Sequence, residues 1–378
     1  MIILAAAIIL SLNSSGIIGK ANEATLKSDA ANQKEAASIK LAEYELKKQL
    51  GELEAPAQTA SKYVKEALEN DNMDTSGLAI TPAGEILTGL TDIAVKFAEM
   101  GVDIGAEVTG YTLNSTLTYP TSGNENTFDQ ATGTETDPQE ATLTRDSNIT
   151  WKYFGIDEKG EATIVGSITN SSPKMTLGGK GGYLNGPKEL KEACKAMYSS
   201  NMGTGRSITI EDITRVLEYT GERGSYYSSE NYEYTPTKEA LTIGQIIEKH
   251  GEPELNYTST PEEGKDINTY KADCYEIQKS SDAREYNTAM QNLIYPGSTT
   301  DLTTAYWLAS PCVSAHFTDG SLEFNVFHVN SSAVYAQYVF PSNDNTTSFY
   351  GMYAVRPVVS LSSDIQMTYS NGVVTLSE

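Results

Sequence analysis

The sequence predicts an α+β protein: a long N-terminal helix followed by an α+β head. Two patterns carry that expectation. Between Ala21 and Glu54 the apolar residues Ile39, Ala42, Leu46, Leu50 and Leu53 recur at spacings of three and four, the period of one helix face. Over Leu322–Val329 and Ala333–Phe340 large apolar residues recur at every second position, as a half-buried strand requires. The expected domains are the helix (1–70), a connecting region with an acidic loop (71–149) and the head (150–378).

Residues 1–12 (MIILAAAIILSL) are almost wholly apolar. A bilayer-spanning helix needs about 20 such residues. Three readings stay open: a signal-peptide core that lacks a basic flank and a clear cleavage motif, a buried helix, or the surviving part of a longer apolar helix. Beyond it, helix from Ala21 to Glu54 would extend about 50 Å, which reads as a stalk. Glu23–Lys27 and Glu43–Lys47 support its exposed side. Pro56 ends or kinks it. A second helix is expected over Thr59–Glu69, with Tyr63, Val64, Ala67 and Leu68 on one face.

Helical spacing returns over Ile86–Met100, and Val102–Thr112 reads as a strand. Ser115–Asn148 is polar and acidic without periodicity, a loop lacking EF-hand spacing. A hairpin is expected from Thr150–Ile156 and Glu161–Ile168. The glycines of Gly178–Gly182 lack the GxxxxGK[ST] phosphate-loop pattern and read as a flexible turn. Pro187 suits the first position of a helix reaching Tyr198, whose apolar stripe places Cys194 in the core. Helices follow near Glu211–Tyr219 and at Ile243–His250, the latter bounded by Thr242 and Gly251. Glu252–Asp301 reads as loop. The C-terminal sheet then runs from YWLAS (Tyr306–Ser310) to AVRPVVSL (Ala354–Leu361), and Asn371-Gly372 marks a last tight hairpin.

A formal charge of −23 argues against nucleic acid, whose phosphates need clustered Lys and Arg. Beyond Lys279 only Arg284 and Arg356 are basic, which also disfavours an anionic ligand for the C-terminal sheet. A neutral polar, glycan-like or protein ligand fits better. Its loops are rich in Ser, Asn and Tyr, which combine adaptable hydrogen bonding with rigid contact area. Cys194, Cys274 and Cys312 allow one disulfide and leave one thiol over. His250, His316 and His328 complete no zinc pattern, and no GxSxG, HExxH or strand-borne GxGxxG occurs. The expectation is a protein that is not an enzyme and uses neither cofactor nor metal. Trp151, Cys194 and Trp307 are expected to be structural, as is Arg356, in an ion pair.

Two phrases carry a family resemblance. Gly16-Ile17-Ile18-Gly19-Lys20-Ala21-Asn22-Glu23-Ala24, following an apolar run, resembles the N-terminal helix of type IV pilin-like proteins of Gram-positive anaerobes. Pilins carry a Gly cleavage site and a Glu at the fifth mature position. Here residue 5 is Ala, so the start reads as truncated. The resemblance implies self-association into a filament, or membrane association, through Ile2, Ile3, Leu4, Ile8, Ile9, Leu10, Leu12, Ile17 and Ile18.

The WKYFGID, YLNGPKELKEACKAMYSS, SITIEDI, YWLAS and VRPVVSL phrases are similar to the extracellular domain following that helix in clostridial surface proteins. The YW…VRPV frame also resembles the C-type-lectin-like fold of formylglycine-generating enzymes and of variable proteins of diversity-generating retroelements. No matched cysteine pair supports the enzymatic activity. The resemblance implies a lectin-like C-terminal sheet that binds a glycan or a host or neighbour protein at the cell surface. The implied binding residues are His316, Phe317, Asp319, His328, Asn330, Tyr335, Gln337, Tyr338, Asn343, Asn345 and Tyr350. The alternatives are a purely structural filament subunit and a membrane-tethered ectodomain, including a variable binding protein.

Overall fold

The computed structural model describes residues 17–53, 58–121, 127–128, 142–219, 225–227, 232–234, 240–253, 255, 260–279, 288–295, 304–318, 320–341 and 350–378. The chain divides into two compact units: Met1–Val102 with Glu158–Ala162, and Asp103–Asp157 with Thr163–Glu378.

The first unit contains α1 (Ile17–Leu50), α2 (Ala60–Asn70), β1 (Ala79–Ile80), β2 (Ile86–Leu87) and α3 (Asp92–Glu99). Thr59 caps α2 by accepting from the Lys62 N–H. Ala37 of α1, Val64 and Leu68 of α2, and Leu78, Ile80 and Ile86 form the core. The small side chain of Ala37 lets the helices approach closely. Tyr44 is buried on the same face, its hydroxyl donating to the Gln58 carbonyl at 3.0 Å. Tyr63 donates to Glu43 at 2.9 Å, and Lys40 pairs with Asp71 at 2.8 Å.

This packing reverses the predicted face of α1. Ile39, Leu46 and Leu50 are 64%, 58% and 59% exposed. Ala37, Leu41 and Tyr44 on the opposite side meet the core instead. α2 decides the matter: its Val64 and Leu68 pack with Ala37, while Tyr63 donates to Glu43 and Lys65 pairs with Glu99 of α3.

In the second unit, β3 (Glu107–Thr109), β4 (Thr118–Pro120), β5 (Thr127–Phe128) and β6 (Thr142–Thr144) precede β7 (Trp151–Ile156), β8 (Ala162–Gly166) and β9 (Lys174–Gly178). Then come α4 (Gly179–Tyr198), β10 (Gly203–Ser207), α5 (Ile210–Val216), β11 (Ser225–Tyr227), β12 (Tyr232–Tyr234), α6 (Ile243–His250), β13 (Ile277–Gln278) and α7 (Thr288–Ile294). The chain closes with β14 (Tyr306–His316), β15 (Ser321–Val329), β16 (Ala333–Pro341), β17 (Tyr350–Ala354), β18 (Pro357–Leu361), β19 (Gln366–Ser370) and β20 (Val373–Ser377).

Two large sheets result: one of seven strands in the order β10-β18-β8-β7-β3-β20-β19, and one of nine, β13-β16-β15-β14-β17-β9-β5 with β11 branching from β14 and β12 paired to β11. One apolar core joins them through Phe154, Val165 and Val358 of the first, Tyr306, Phe327 and Val334 of the second, and Ile213 and Val216 of α5. Gly110 follows β3 at φ 79°, where a Cβ would collide with the Leu376 carbonyl oxygen. The close approach of these backbones therefore requires glycine.

The expected stalk and α+β head are thus corrected. The described residues hold 20 strands against seven α-helices, a mostly β protein. The part of α1 with described side chains, from Asp29 on, is packed into the first unit and does not run free. The Gly178–Gly182 turn is corrected as well, since α4 begins at Gly179 and Pro187 lies in its interior. Gly181, Gly182 and Gly186 are buried there, and a Cβ on Gly186 would press into the Leu177 side chain. The glycines serve contact with the sheet, not flexibility.

Candidate functional site

β14, β15 and β16 are neighbours in register: Trp307 opposes His328, and His328 opposes Tyr335. β17 joins β14 in parallel at Tyr306 and Ala354. Strand alternation sends Tyr306, Phe327, Val334 and Ala354 into the apolar core. Their neighbours Trp307, His328, Tyr335 and Tyr353 therefore gather on the opposite face.

There they form a continuous aromatic row. The His328 and Tyr353 rings stack at 4.4 Å with an interplanar angle of 3°, and Tyr335 lies on His328 at 5.9 Å and 27°. Trp307 meets Tyr353 edge-on at 4.7 Å and 70°. Its indole N–H donates to the Met175 carbonyl at 2.7 Å. The Tyr353 hydroxyl donates to Gln337 Oε1 at 2.9 Å. A Cβ on Gly351 would meet the Trp307 ring, Gln337 and Tyr353 at 2.9–3.0 Å, so the row closes over bare backbone. α4 covers the adjoining part of this face, with Tyr183 edge-on to Phe324 at 5.1 Å. Trp307 and His328 are buried, whereas Tyr335, Gln337 and Tyr353 are half-exposed.

Burial pushes the His328 imidazole down to about 4, outweighing its bond to the Tyr335 backbone, and raises the Tyr353 hydroxyl. The row is uncharged at neutral pH. An unfolded histidine titrates near 6.5, so between 6.5 and 4 the unfolded chain binds the proton that the folded chain refuses. The stability His328 contributes is complete above that window and is lost as pH falls through it. Urea unfolding should show a loss of about 3 kcal/mol from this group between pH 7 and pH 4. His328→Gln should flatten that slope.

The predicted binding residues divide. His328, Tyr335 and Gln337 belong to the row. His316 ends β14 beside Glu323 at 3.2 Å, Phe317 is buried, and Asn330 Oδ1 accepts from the Ser332 and Ala333 N–H groups to hold the β15–β16 turn. Tyr338 and Tyr350 lie in β16 and β17, their side chains outside the described residues, as are Asp319, Asn343 and Asn345. The assembly residues Ile2, Ile3, Leu4, Ile8, Ile9, Leu10 and Leu12 also fall outside, and Ile17 and Ile18 are described only as helix. Tyr353, not among the binding residues expected from sequence, completes the row.

Trp151 and Cys194 are buried, Trp151 against Tyr111 and Tyr198. Cys274 and Cys312 form the disulfide, their Cα atoms 5.1 Å apart. Among the described residues Arg356 has no carboxylate partner to form the expected ion pair. It is buried and donates from Nε to the Gly166 carbonyl at 3.0 Å and from Nη2 to the Leu293 carbonyl at 2.8 Å, with the Tyr306 ring 4.7 Å away. Carbonyl dipoles and a π face replace the carboxylate.

Among the described residues no three His, Cys, Asp or Glu side chains gather as metal ligands, and no helix is long and apolar enough to cross a membrane. No protein-family model, curated protein or solved structure matches the chain.

Proposed function

We propose that this chain is a surface-displayed, pilin-like subunit without enzymatic activity, whose nine-stranded sheet binds a glycan or protein partner. The observation that carries this reading is the aromatic row, with Tyr335 and Tyr353 half-exposed over buried Trp307 and His328. Rigid aromatic rings backed by a packed core supply contact area at small entropic cost. The Gly16–Ala24 phrase supports assembly through the N-terminal segment. The Cys274–Cys312 disulfide fits an oxidising, extracytoplasmic setting.

The test is binding of the full chain to glycan and protein arrays beside a Tyr335→Ala/Tyr353→Ala variant. Specific binding should disappear in the variant while its unfolding transition remains cooperative. Binding that survives both substitutions would remove the row from the function.

The exposed stripe of Ile39, Leu46 and Leu50 on α1 favours a second reading, a structural filament subunit. Leu46→Glu with Leu50→Glu should then reduce self-association in light scattering while leaving array binding intact.

A further inference from the structure

We infer that Tyr335, the outer ring of the Tyr335–His328–Tyr353 stack, takes the flat face of a neutral pyranose ring without the help of a metal ion. The inference rests on the binding role proposed above and narrows it to one ligand class.

Three independent features converge. The two tyrosines flank the imidazole at 5.9 and 4.4 Å, remain half-exposed and are braced by Trp307 and by the Tyr353–Gln337 hydrogen bond. Rings held in this way are already ordered before a ligand arrives. Second, His328 is buried, and its Nδ1 has no hydrogen-bond partner among the described residues. That atom has lost its water without gaining a replacement, a cost that a ligand hydroxyl at the row can remove.

Third, none of these residues is charged, and the only basic residues beyond Lys279 are Arg284 and Arg356, the latter buried. An anionic sugar would lose its hydration with no cation within the row to compensate. The axial C–H bonds of an uncharged pyranose are weakly positive and apolar, so they match the negative π face of Tyr335 turned away from His328. Its hydroxyls supply donors at the rim. A peptide could use the same rings, but it would also bring backbone groups that need paired partners.

The decisive experiment titrates the full chain with cellotriose and chitotriose in EDTA, with sialyllactose as the anionic control, following tryptophan fluorescence. Saturable binding of a neutral trisaccharide is expected, unchanged by EDTA and stronger than that of sialyllactose. Tyr335→Ala should weaken it about tenfold, the loss of one ring face, whereas Tyr335→Phe should retain it. His328→Phe keeps a ring but deletes the nitrogen, and should also weaken binding about tenfold. Urea unfolding of each variant confirms that the fold is kept.

Binding that needs calcium, prefers sialyllactose or ignores Tyr335→Ala would overturn the inference. If neither trisaccharide binds while an array protein does so through Tyr335, the sugar assignment fails and the broader binding role stands. If nothing binds through Tyr335, both fail.

Discussion

Arg356→Ala is expected to destabilise the second unit by about 4 kcal/mol, read as a lowered urea midpoint. The arginine is buried and serves carbonyls from two places far apart in sequence, Gly166 and the Leu293–Ile294 end of α7. Alanine removes the guanidinium donors from these carbonyls, of which Ile294 keeps the Tyr306 hydroxyl, and opens a cavity beneath Tyr306, whose ring the guanidinium covers. Arg356→Met restores much of the volume but none of the donors, so it should fall between alanine and wild type. Arg356→Lys keeps a cation but not the planar fork, and should be milder still. A methionine variant as stable as wild type would show that volume matters here and the hydrogen bonds do not.

Trp307→Ala should cost a similar amount, about 4 kcal/mol, in the same measurement. The indole is fully buried, fills the space above Gly351 and donates to the Met175 carbonyl. Trp307→Phe should lose about 2 kcal/mol, since it keeps most of the apolar contact but strands that carbonyl. The two variants also separate fold from row. Because Trp307 braces Tyr353 edge-on, Trp307→Phe should disturb the tyrosine resonances in NMR spectra more than its modest stability loss implies.

The elements that sequence made legible are those whose signal is local. Period-two alternation located β15 and β16 almost to the residue, because one face of each enters an apolar core. Thr242 and Gly251 bounded α6 through a capping box and a left-handed stop, and Asn371-Gly372 joined β19 to β20 with both residues at positive φ. What escaped depends on partners distant in the chain. α1 carries two apolar faces, and the Ile/Leu face looked stronger in isolation. Packing against Val64 and Leu68 of α2 selects the Ala37–Tyr44 face. The buried glycines opening α4 look like a loop until the sheet beneath them is known.

The row was half legible for the same reason. His328, Tyr335 and Gln337 sit on strands with clear alternation. Tyr353 lies on the short β17, where Gly351 interrupts the pattern. Its place beside Trp307 comes from a parallel pairing that no spacing announces.

One pairing governs how this chain can acquire its structure. β20, ending at Ser377, inserts between β19 and β3, and its register with β3 matches Val373 to Glu107 and Thr375 to Thr109. The seven-stranded sheet therefore cannot close until β20 has been synthesised. Contacts so distant in sequence delay folding, because the chain must lose loop entropy before they form. Deleting β19 and β20 should leave the outer side of β3 unpaired and liable to aggregation, even though no residue of the aromatic row is removed.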